Sequence, residues 1–349
     1  MKLSPSISII VPAYNAECTI EQALRAICST SFEGLEVIVV DDASTDKTAE
    51  ICSKFPVRLL RMTRNAGPAH ARNMGAALAT GEVLLFLDAD TCLETGALEK
   101  IARAFGCDDG LDGMIGAYDD QPAAHGTISQ FRNLLHCFVH RSAKRQASTF
   151  WSGCGAIKTS TFLAANGFDE SYLRPSIEDL EFGYRLSRAG RKILMDSEIR
   201  VKHLKRWTFG SMMQTDVRDR GIPWTQLILR ERFMPADLNL GMDQRLSVIG
   251  VFLALSLAVV GLFAASSLRM AALTAAFGML MAVVVINRAF YRFLYVRRGP
   301  LFTANAIALH LFFYFYNGVA FVLGLFCWSY RSHPMRELRR RLSEIVQGG

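Results

Sequence analysis

Short apolar runs alternate with amphipathic helical stretches through the first part of the chain. Apolar and β-branched residues predominate at positions 7–11, 35–40, 57–61 and 83–87, and helical patterns occupy positions 19–30, 44–55 and 67–79 between them. Strands that alternate with helices build a mostly parallel sheet with helices on both faces. The sequence therefore predicts an α/β domain.

Polar residues follow three of these strands at the point where each strand ends. Residues 12–15 follow the first strand, Asp41 and Asp42 the second, and Asp88 and Asp90 the fourth. Ligands bind beyond the carboxyl ends of parallel strands. Two carboxylates held close together repel unless a cation lies between them, and oxygen ligands suit Mg²⁺ or Mn²⁺, which often take their other ligands from phosphates. The pattern predicts a site for a nucleoside diphosphate that carries a leaving group.

The last third of the chain is much more apolar than the rest. Hydrophobic residues make up 51% of the sequence and the mean hydropathy is +0.20, which is high for a soluble protein. Three apolar segments, at about residues 246–265, 270–286 and 302–328, approach or exceed the length that crosses a hydrocarbon core of ~30 Å. The net charge is +7, and arginines gather beside these segments. Basic flanks of apolar segments favour anionic lipid over nucleic acid as the partner.

The positions of the arginines predict how these segments are oriented. Only Arg269 lies between the first two segments, whereas Arg288, Arg292, Arg297 and Arg298 follow the second. Because positive residues stay on the cytoplasmic side, the first two segments should form a hairpin that returns to the cytoplasm. The basic tail, residues 329–349, also belongs there. The third segment therefore either lies partly in the interface or crosses fully and breaks the rule, and both alternatives stay open.

The N-terminus and the cysteines indicate the compartment. The first 15 residues contain only a short apolar run, interrupted by Pro12, which is not a signal-peptide pattern. The eight cysteines form no CxxC pair, which makes a structural zinc site improbable and agrees with a reducing compartment. We therefore expect a multi-pass protein of the plasma (inner) membrane with a cytoplasmic catalytic domain.

Five motifs together resemble one enzyme family. They are, in order, "SIIVPAYNAECTIEQAL", "VIVVDDASTDKT", "NAGPAHARN", "LFLDADT" and "IEDLEFGYRL", and they extend over about residues 5 to 220. This set resembles the inverting family-2 glycosyltransferases with the GT-A fold. The resemblance implies a catalytic domain over residues 1–230. The arginine and apolar pattern predicts a membrane-interface segment at 221–245 and transmembrane helices at 246–328.

The resemblance also implies which residues bind the nucleotide-sugar donor. Tyr14 would stack on the base, with Pro12 and Ala13 shaping the turn beneath it. Asp42 would accept a hydrogen bond from the base, and Arg72 would approach the donor. UDP-sugars are the favoured donors and GDP-mannose comes second.

The metal and the general base are implied in the same way. In the D-x-D motif Asp90 would bind Mg²⁺ or Mn²⁺ directly, with Asp88 beside it contacting ribose and metal. Asp179 would take the proton of the acceptor hydroxyl while the sugar carbon is attacked, and Glu178 would orient it. His203, after the last strand, is a candidate to complete the metal site, and a core histidine is the alternative.

The acceptor side is less specified by the sequence. Gly153 and Cys154 match a region that lines the acceptor pocket in the family, and Trp151 is either a platform for a sugar or a core residue. Glu178, Arg206 and Trp207 are further candidates, and Arg206 could equally face diphosphate or lipid headgroups. The stretch at 214–224, "QTDVRDRGIPW", departs in spacing from the signature of processive synthases. Arginines mixed with apolar residues before the first span favour a membrane-surface segment and so a lipid-linked or membrane-proximal glycan acceptor of the cell envelope.

Other classes of protein explain the sequence less well. A dinucleotide oxidoreductase needs G-x-G-x-x-G after its first strand, where this chain has "PAYNAE". A nucleotidyltransferase would use the same metal chemistry and stays an alternative, as does a non-catalytic membrane scaffold with a transferase-like domain. The joint presence of Asp42, Asp88, Asp90 and Asp179 disfavours the scaffold.

Overall fold

A computed structural model of the chain describes residues 5–234 and 241–332. It divides into two compact units, Met1–Thr208 and Phe209–Gly349. Most of the predicted basic tail and part of the predicted interface segment lie outside the described residues.

The described part of the first unit is built on an eight-stranded mixed sheet. The strand order is β3-β2-β1-β4-β7-β6-β8-β5. β1, β2, β3 and β4 are parallel to one another, as the sequence predicts, whereas β7 runs antiparallel to both β4 and β6. The strands are β1 (Ile7–Ala13), β2 (Leu35–Asp41), β3 (Arg58–Arg61), β4 (Val83–Leu87), β5 (Thr91–Leu93), β6 (Gly113–Tyr118), β7 (Cys154–Lys158) and β8 (Ile193–His203).

Seven helices of this unit surround the sheet or extend from its edges. A cluster of five phenylalanines fills the core beneath β4, with ring centroids 4.8–6.4 Å apart. The cluster packs α6 and α7 against the end of β4, which brings two site-bearing elements together. The helices are α1 (Ile20–Cys28), α2 (Thr48–Cys52), α3 (Pro68–Leu78), α4 (Ala97–Cys107), α5 (Thr127–Ser142), α6 (Thr159–Ala164) and α7 (Glu178–Arg188).

One strand differs from the sequence-based expectation. The apolar pattern predicts two short strands, at residues 192–196 and 199–203, separated by the polar pair Ser197 and Glu198. The structure has a single strand, β8, because its register against β6 shifts at this point: Ile115 pairs with Met195 and Ala117 pairs with Arg200. The extra residues bulge outward without ending the strand.

The second unit is helical. Residues 209–231 form one helical stretch made of α8 (Phe209–Gln214), seven residues with π-helical hydrogen bonds (Thr215–Gly221) and α9 (Ile222–Glu231). Then come α10 (Met242–Phe263), α11 (Ser266–Ile286) and α12 (Arg288–Ser332). α12 is broken at Gly299, where φ is 80°, and Pro300 follows.

Among the described residues, three helices are long and apolar enough to cross a membrane: Met242–Phe263, Ser266–Ile286 and Arg288–Tyr330. α10 and α11 form an antiparallel hairpin joined by a turn at Ala264 and Ala265. At the open end of the hairpin, Asn287 donates a hydrogen bond to Ser247 (2.9 Å) and accepts one from Tyr314 of α12 (2.8 Å). These buried bonds join three helices at one level.

Candidate functional site

The predicted polar residues do meet at one edge of the sheet. Ala13 ends β1 directly beside Asp41, the last residue of β2. Asp42 follows at once and donates its backbone N–H to Ala13. Asp88 follows β4, which is the other neighbour of β1. The carboxyl ends of three adjacent parallel strands therefore supply these groups.

The loop after β1 is fastened to the loop after β2. The backbone N–H of Asn15 donates to Ser44, and the side chain of Asn15 accepts from the backbone of Thr45, both at 2.9 Å. Ala16 donates to the hydroxyl of Thr48 at 2.7 Å. Tyr14 stays 52% exposed above this braced turn. The backbone that carries the ring is therefore held in place, and the ring is accessible to a flat ligand that could stack on it.

Asp42 is almost fully buried and organises a third loop. Its two carboxylate oxygens accept hydrogen bonds from the backbone N–H groups of Ala66 (2.9 Å) and Gly67 (2.8 Å). Gly67 immediately precedes α3, which carries Arg72. Asp42 thus fixes the start of the helix that presents Arg72 to the site.

Arg72 is the centre of the site. It is buried, and its guanidinium donates to Asp88 and to Glu178, both at 2.8 Å. Burial alone would lower the pKa of Arg72, but the carboxylates of Asp88, Glu178 and Asp179 raise it. The arginine therefore stays charged and joins the D-x-D motif to the acidic pair that begins α7.

Asp179 lies in the first turn of α7 and is half-buried. One carboxylate oxygen accepts from the backbone of Leu180 at 2.8 Å. The other accepts from the backbone N–H (3.2 Å) and the hydroxyl (3.3 Å) of Ser152. These hydrogen bonds hold the carboxylate of Asp179 in one orientation.

Asp90 faces His203 across the site. The Nε2 atom of His203 lies 3.5 Å from a carboxylate oxygen of Asp90, and its Nδ1 atom lies 2.5 Å from the side-chain oxygen of Asn133 on α5. An amide oxygen only accepts hydrogen bonds, so Nδ1 carries a hydrogen and Nε2 is turned toward Asp90. Burial would raise the pKa of Asp90, but His203 and then Lys205 hold it below its ordinary value.

These two side chains are the predicted metal ligands that the structure brings together. In the described part of the chain, no three or more His, Cys, Asp or Glu side chains are arranged to hold a metal ion by themselves. A carboxylate and an imidazole oriented by a second hydrogen bond nevertheless suit a divalent cation that takes its other ligands from phosphate and water. Asp88 was also a predicted metal ligand, but the contact that the structure gives it is with Arg72.

Two of the acceptor-side candidates, Trp151 and Gly153, contact each other. Trp151 is half-buried and packs on Tyr118 with ring centroids 4.7 Å apart, and Tyr118 stacks on His203 at 4.5 Å. Gly153 lets the indole lie flat, because a Cβ atom at this position would come within 2.6 Å of the Trp151 ring. These contacts connect Trp151 to His203 through Tyr118.

The other acceptor-side candidates differ in accessibility. Arg206 is exposed. Trp207 is buried, with its backbone N–H bonded to Ser129 of α5 and Lys205 lying 4.2 Å from the centre of its ring. Glu178 is buried and bonded to Arg72. Trp207 and Glu178 therefore support the site from beneath in this structure.

Sequence analysis missed two residues that hold the predicted ones. Ser152 binds Asp179, and Asn133 binds His203. Ser152 lies between Trp151 and Gly153, two acceptor-side candidates, so its place in the sequence already indicates that it lies near the site. Asn133 lies in a helix with ordinary amphipathic spacing, and its partner is 70 residues away, so the sequence contains no comparable signal for it.

Parts of the sequence match known glycosyltransferases. The sequence model described as "Glycosyl transferase family 2" matches residues 8–160. An uncharacterized glycosyltransferase of Haemophilus influenzae is 42% identical over 101 residues, which are 28% of this chain and 40% of that protein. The chain spans less than half the length of the first curated relatives that it matches.

A longer match to a curated relative and a solved structure also indicate a glycosyltransferase domain. The amylovoran biosynthesis glycosyltransferase AmsB of Erwinia amylovora is 30% identical over 227 residues, which are 59% of this chain and 72% of that protein. The mannosyltransferase PcManGT of Pyrobaculum calidifontis has a similar fold, with a TM-score of 0.58, 18% identity, and coverage of 93% of this chain and 88% of that one. The predicted GT-A fold is thereby confirmed, and the chain belongs to glycosyl transferase family 2.

Proposed function

We propose that this glycosyltransferase is a membrane-anchored inverting enzyme that transfers a sugar from a nucleotide-diphosphate donor to a lipid-linked or membrane-proximal glycan. The observation that carries the proposal is the position of Arg72. Its guanidinium bonds to Asp88 in the D-x-D motif and to Glu178, the neighbour of Asp179. The group proposed for donor binding and the group proposed as base are thus held by one buried cation.

The proposed reaction is a single displacement. Asp179 accepts the proton of the acceptor hydroxyl, the hydroxyl oxygen forms a bond to the anomeric carbon, and the bond from that carbon to the diphosphate breaks. The products are the glycosylated acceptor and a nucleoside diphosphate. Ser152 fixes the orientation of Asp179 through two hydrogen bonds, as a general base requires.

The donor is proposed to lie along the braced loops. Tyr14 offers its exposed ring to the base, Asp42 fixes the loop that begins α3, and Asp88 faces the ribose. Asp90 and His203 would hold Mg²⁺ or Mn²⁺. When bound, the cation would neutralise charge on the leaving diphosphate. Lys205, which lowers the pKa of Asp90, adds positive charge on the same side.

The names of relatives support the substrate classes without fixing them. AmsB is named for amylovoran biosynthesis, which supports a glycan acceptor. PcManGT was solved with GDP-Man and Mn²⁺. UDP-sugars remain our first choice of donor and GDP-mannose our second. The three apolar helices support attachment to the plasma (inner) membrane, with the first unit on the cytoplasmic side where nucleotide sugars are made.

A donor screen with the purified full-length chain tests this proposal. UDP- and GDP-sugars would be incubated with the protein in detergent, with Mn²⁺ or with EDTA, and the nucleotide products identified. We expect metal-dependent release of UDP or GDP from one donor. Release of pyrophosphate would indicate nucleotidyl transfer instead, and no release from any donor, with or without a glycolipid acceptor, would contradict the proposal.

We predict that Asn133→Leu weakens metal binding without changing the fold. Loss of the amide oxygen frees the ring of His203 to rotate, and losing such an outer partner typically costs ~10- to 100-fold in metal affinity. Electron paramagnetic resonance titration of Mn²⁺ in the presence of UDP measures this directly. Asn133→Asp, which keeps an acceptor oxygen at the same place, should retain the affinity. Equal Mn²⁺ affinity in Asn133→Leu and the unmodified chain would rule out the positioning role.

A further inference from the structure

Two helices of the second unit run side by side in the same direction. The hydroxyl of Tyr316 donates to Asp216 at 2.7 Å, and the rings of Phe209 and Phe312 stack with centroids 5.5 Å apart. Further along, Gly221 lies against Ala320 and Thr225 against Gly324. The partners are separated by 99 to 103 positions throughout, so residues 209–231 lie parallel to residues 309–331.

Small residues make this contact close. A Cβ atom at Gly221 would lie 2.7 Å from that of Ala320, and one at Gly324 would lie 2.5 Å from that of Thr225. Small residues four apart on each helix let two backbones approach, which is the usual pattern for helix pairs in membranes. The two helices are therefore fitted to each other, and their positions relative to the bilayer are coupled.

The first helix of the pair cannot cross a membrane. Residues 209–231 include six charged side chains, and Arg218 is exposed. If the apolar part of α12, residues 311–328, crossed the bilayer, its midpoint would be near Ala320. Gly221 contacts Ala320, so the charged run at residues 216–220 would lie at the bilayer centre, where charge is expensive to place. The six charges are those of Asp216, Arg218, Asp219, Arg220, Arg230 and Glu231.

The contacts between α12 and the α10/α11 hairpin agree with this. The hydroxyl of Tyr314 lies 2.8 Å from the side-chain oxygen of Asn287 and 3.1 Å from that of Gln244, both at the open end of the hairpin. Phe315 stacks on Phe252 in the first half of α10. At the closed end of the hairpin, Leu262 is 68% exposed and Phe263 is 86% exposed. A third spanning helix packed along the hairpin would cover those side chains, whereas lipid covers them if the hairpin crosses alone.

We propose that the chain crosses the bilayer only twice, through α10 and α11, and that residues 209–231 and 309–331 lie together in the headgroup region of the cytoplasmic leaflet. The exposed side chains of Phe321, Val322 and Phe326 would enter the acyl boundary. Arg288 and Arg292, exposed on the helical segment before Gly299, would face anionic headgroups. The proposal rests on the membrane attachment given under Proposed function and returns the C-terminus to the cytoplasm.

Cysteine labelling of the full chain tests the proposal. In a variant with all eight native cysteines replaced by serine, Ser267→Cys and Ser343→Cys would each be exposed to a reagent that cannot cross the membrane. Ser267 is exposed at the closed end of the hairpin, and Ser343 lies outside the described residues. We expect labelling of Ser267→Cys in intact cells, and labelling of Ser343→Cys only after the cells are permeabilised.

Two other labelling results would each overturn the proposal, and they differ in which helix they show to be wrongly placed. Labelling of both sites in intact cells means that α12 crosses as well, while the membrane anchor stands. Failure to label Ser267→Cys in intact cells means that the hairpin does not cross, and the two-span arrangement is wrong. Neither result bears on catalysis, because release of nucleoside diphosphate by the same purified variants is measured separately.

A disulfide between the two helices tests their pairing in the membrane. In the same background, Thr225→Cys with Gly324→Cys should form a crosslink on mild oxidation. Thr225→Cys with Gly278→Cys is the matched control, because Gly278 on α11 has open space around it, and it should not crosslink. If the control pair crosslinks as readily as the predicted pair, the helix pair does not exist in the membrane.

Discussion

Asp90→Ala should reduce metal-dependent binding of the donor nucleotide by at least about 100-fold, which corresponds to the several kcal/mol that a bound cation contributes at a diphosphate. The reason is that Asp90 is the carboxylate proposed to bind the cation, and His203 alone would hold a cation poorly. Isothermal titration calorimetry of UDP or GDP with Mn²⁺ and with EDTA gives the two affinities. In the variant they should be nearly equal.

The control for this experiment is Asp109→Asn. Asp109 is an exposed carboxylate in the turn after α4, in the same unit but apart from the strand ends. The Asp109→Asn variant should bind nucleotide with the same metal dependence as the unmodified chain. Unchanged Mn²⁺-dependent binding in Asp90→Ala would show that the cation is held elsewhere, and the assignment of Asp90 and His203 would then be wrong.

Asp179→Asn should keep donor affinity and lower turnover by at least ~10²-fold, the usual scale for a positioned general base. Asparagine has the size of aspartate but cannot accept the proton of the acceptor hydroxyl. The fixed position of Asp179 at the start of α7, bonded to Ser152, makes a change of geometry small. Nucleotide affinity from calorimetry and the transfer rate under saturating donor separate the two effects.

Glu181→Gln provides the matched control on the same helix. Glu181 is buried one half-turn on, and its carboxylate is paired with Arg185 at 2.9 Å. Its substitution should lower the melting temperature while leaving the turnover of the folded enzyme within a small factor. Parallel losses of nucleotide affinity and turnover in Asp179→Asn would make Asp179 a binding residue.

The donor edge of the site was predictable because it depends on local sequence. β1, β2 and β4 are largely β-branched or apolar runs that end at Ala13, Asp41 and Leu87. Parallel strands bring such ends to one edge regardless of the rest of the fold. The acidic pair at Glu178 and Asp179 also followed from its motif. What the motifs did not show is that Arg72 holds the two parts together, because a contact between residues 106 positions apart leaves no local pattern.

Other features depended on long-range packing. The two predicted strands before His203 are one strand, because a bulge absorbs the polar residues Ser197 and Glu198 without breaking the pairing with β6. Asn133 could not be recognised as the partner of His203 from helical spacing alone. The third apolar segment was ambiguous for a similar reason: hydropathy reports length, whereas the charged neighbour at residues 216–220 becomes visible only when the helices are packed.

The stereochemistry of the reaction is the most direct test of the proposed single displacement assisted by Asp179. The donor identified by the screen would be hydrolysed or transferred by the full-length chain while proton NMR follows the anomeric signals before mutarotation. An α-linked nucleotide sugar should give the β-configured product first, because the acceptor oxygen attacks the face opposite the diphosphate. An α-configured first product would contradict a single displacement, because it would show retention at the anomeric carbon.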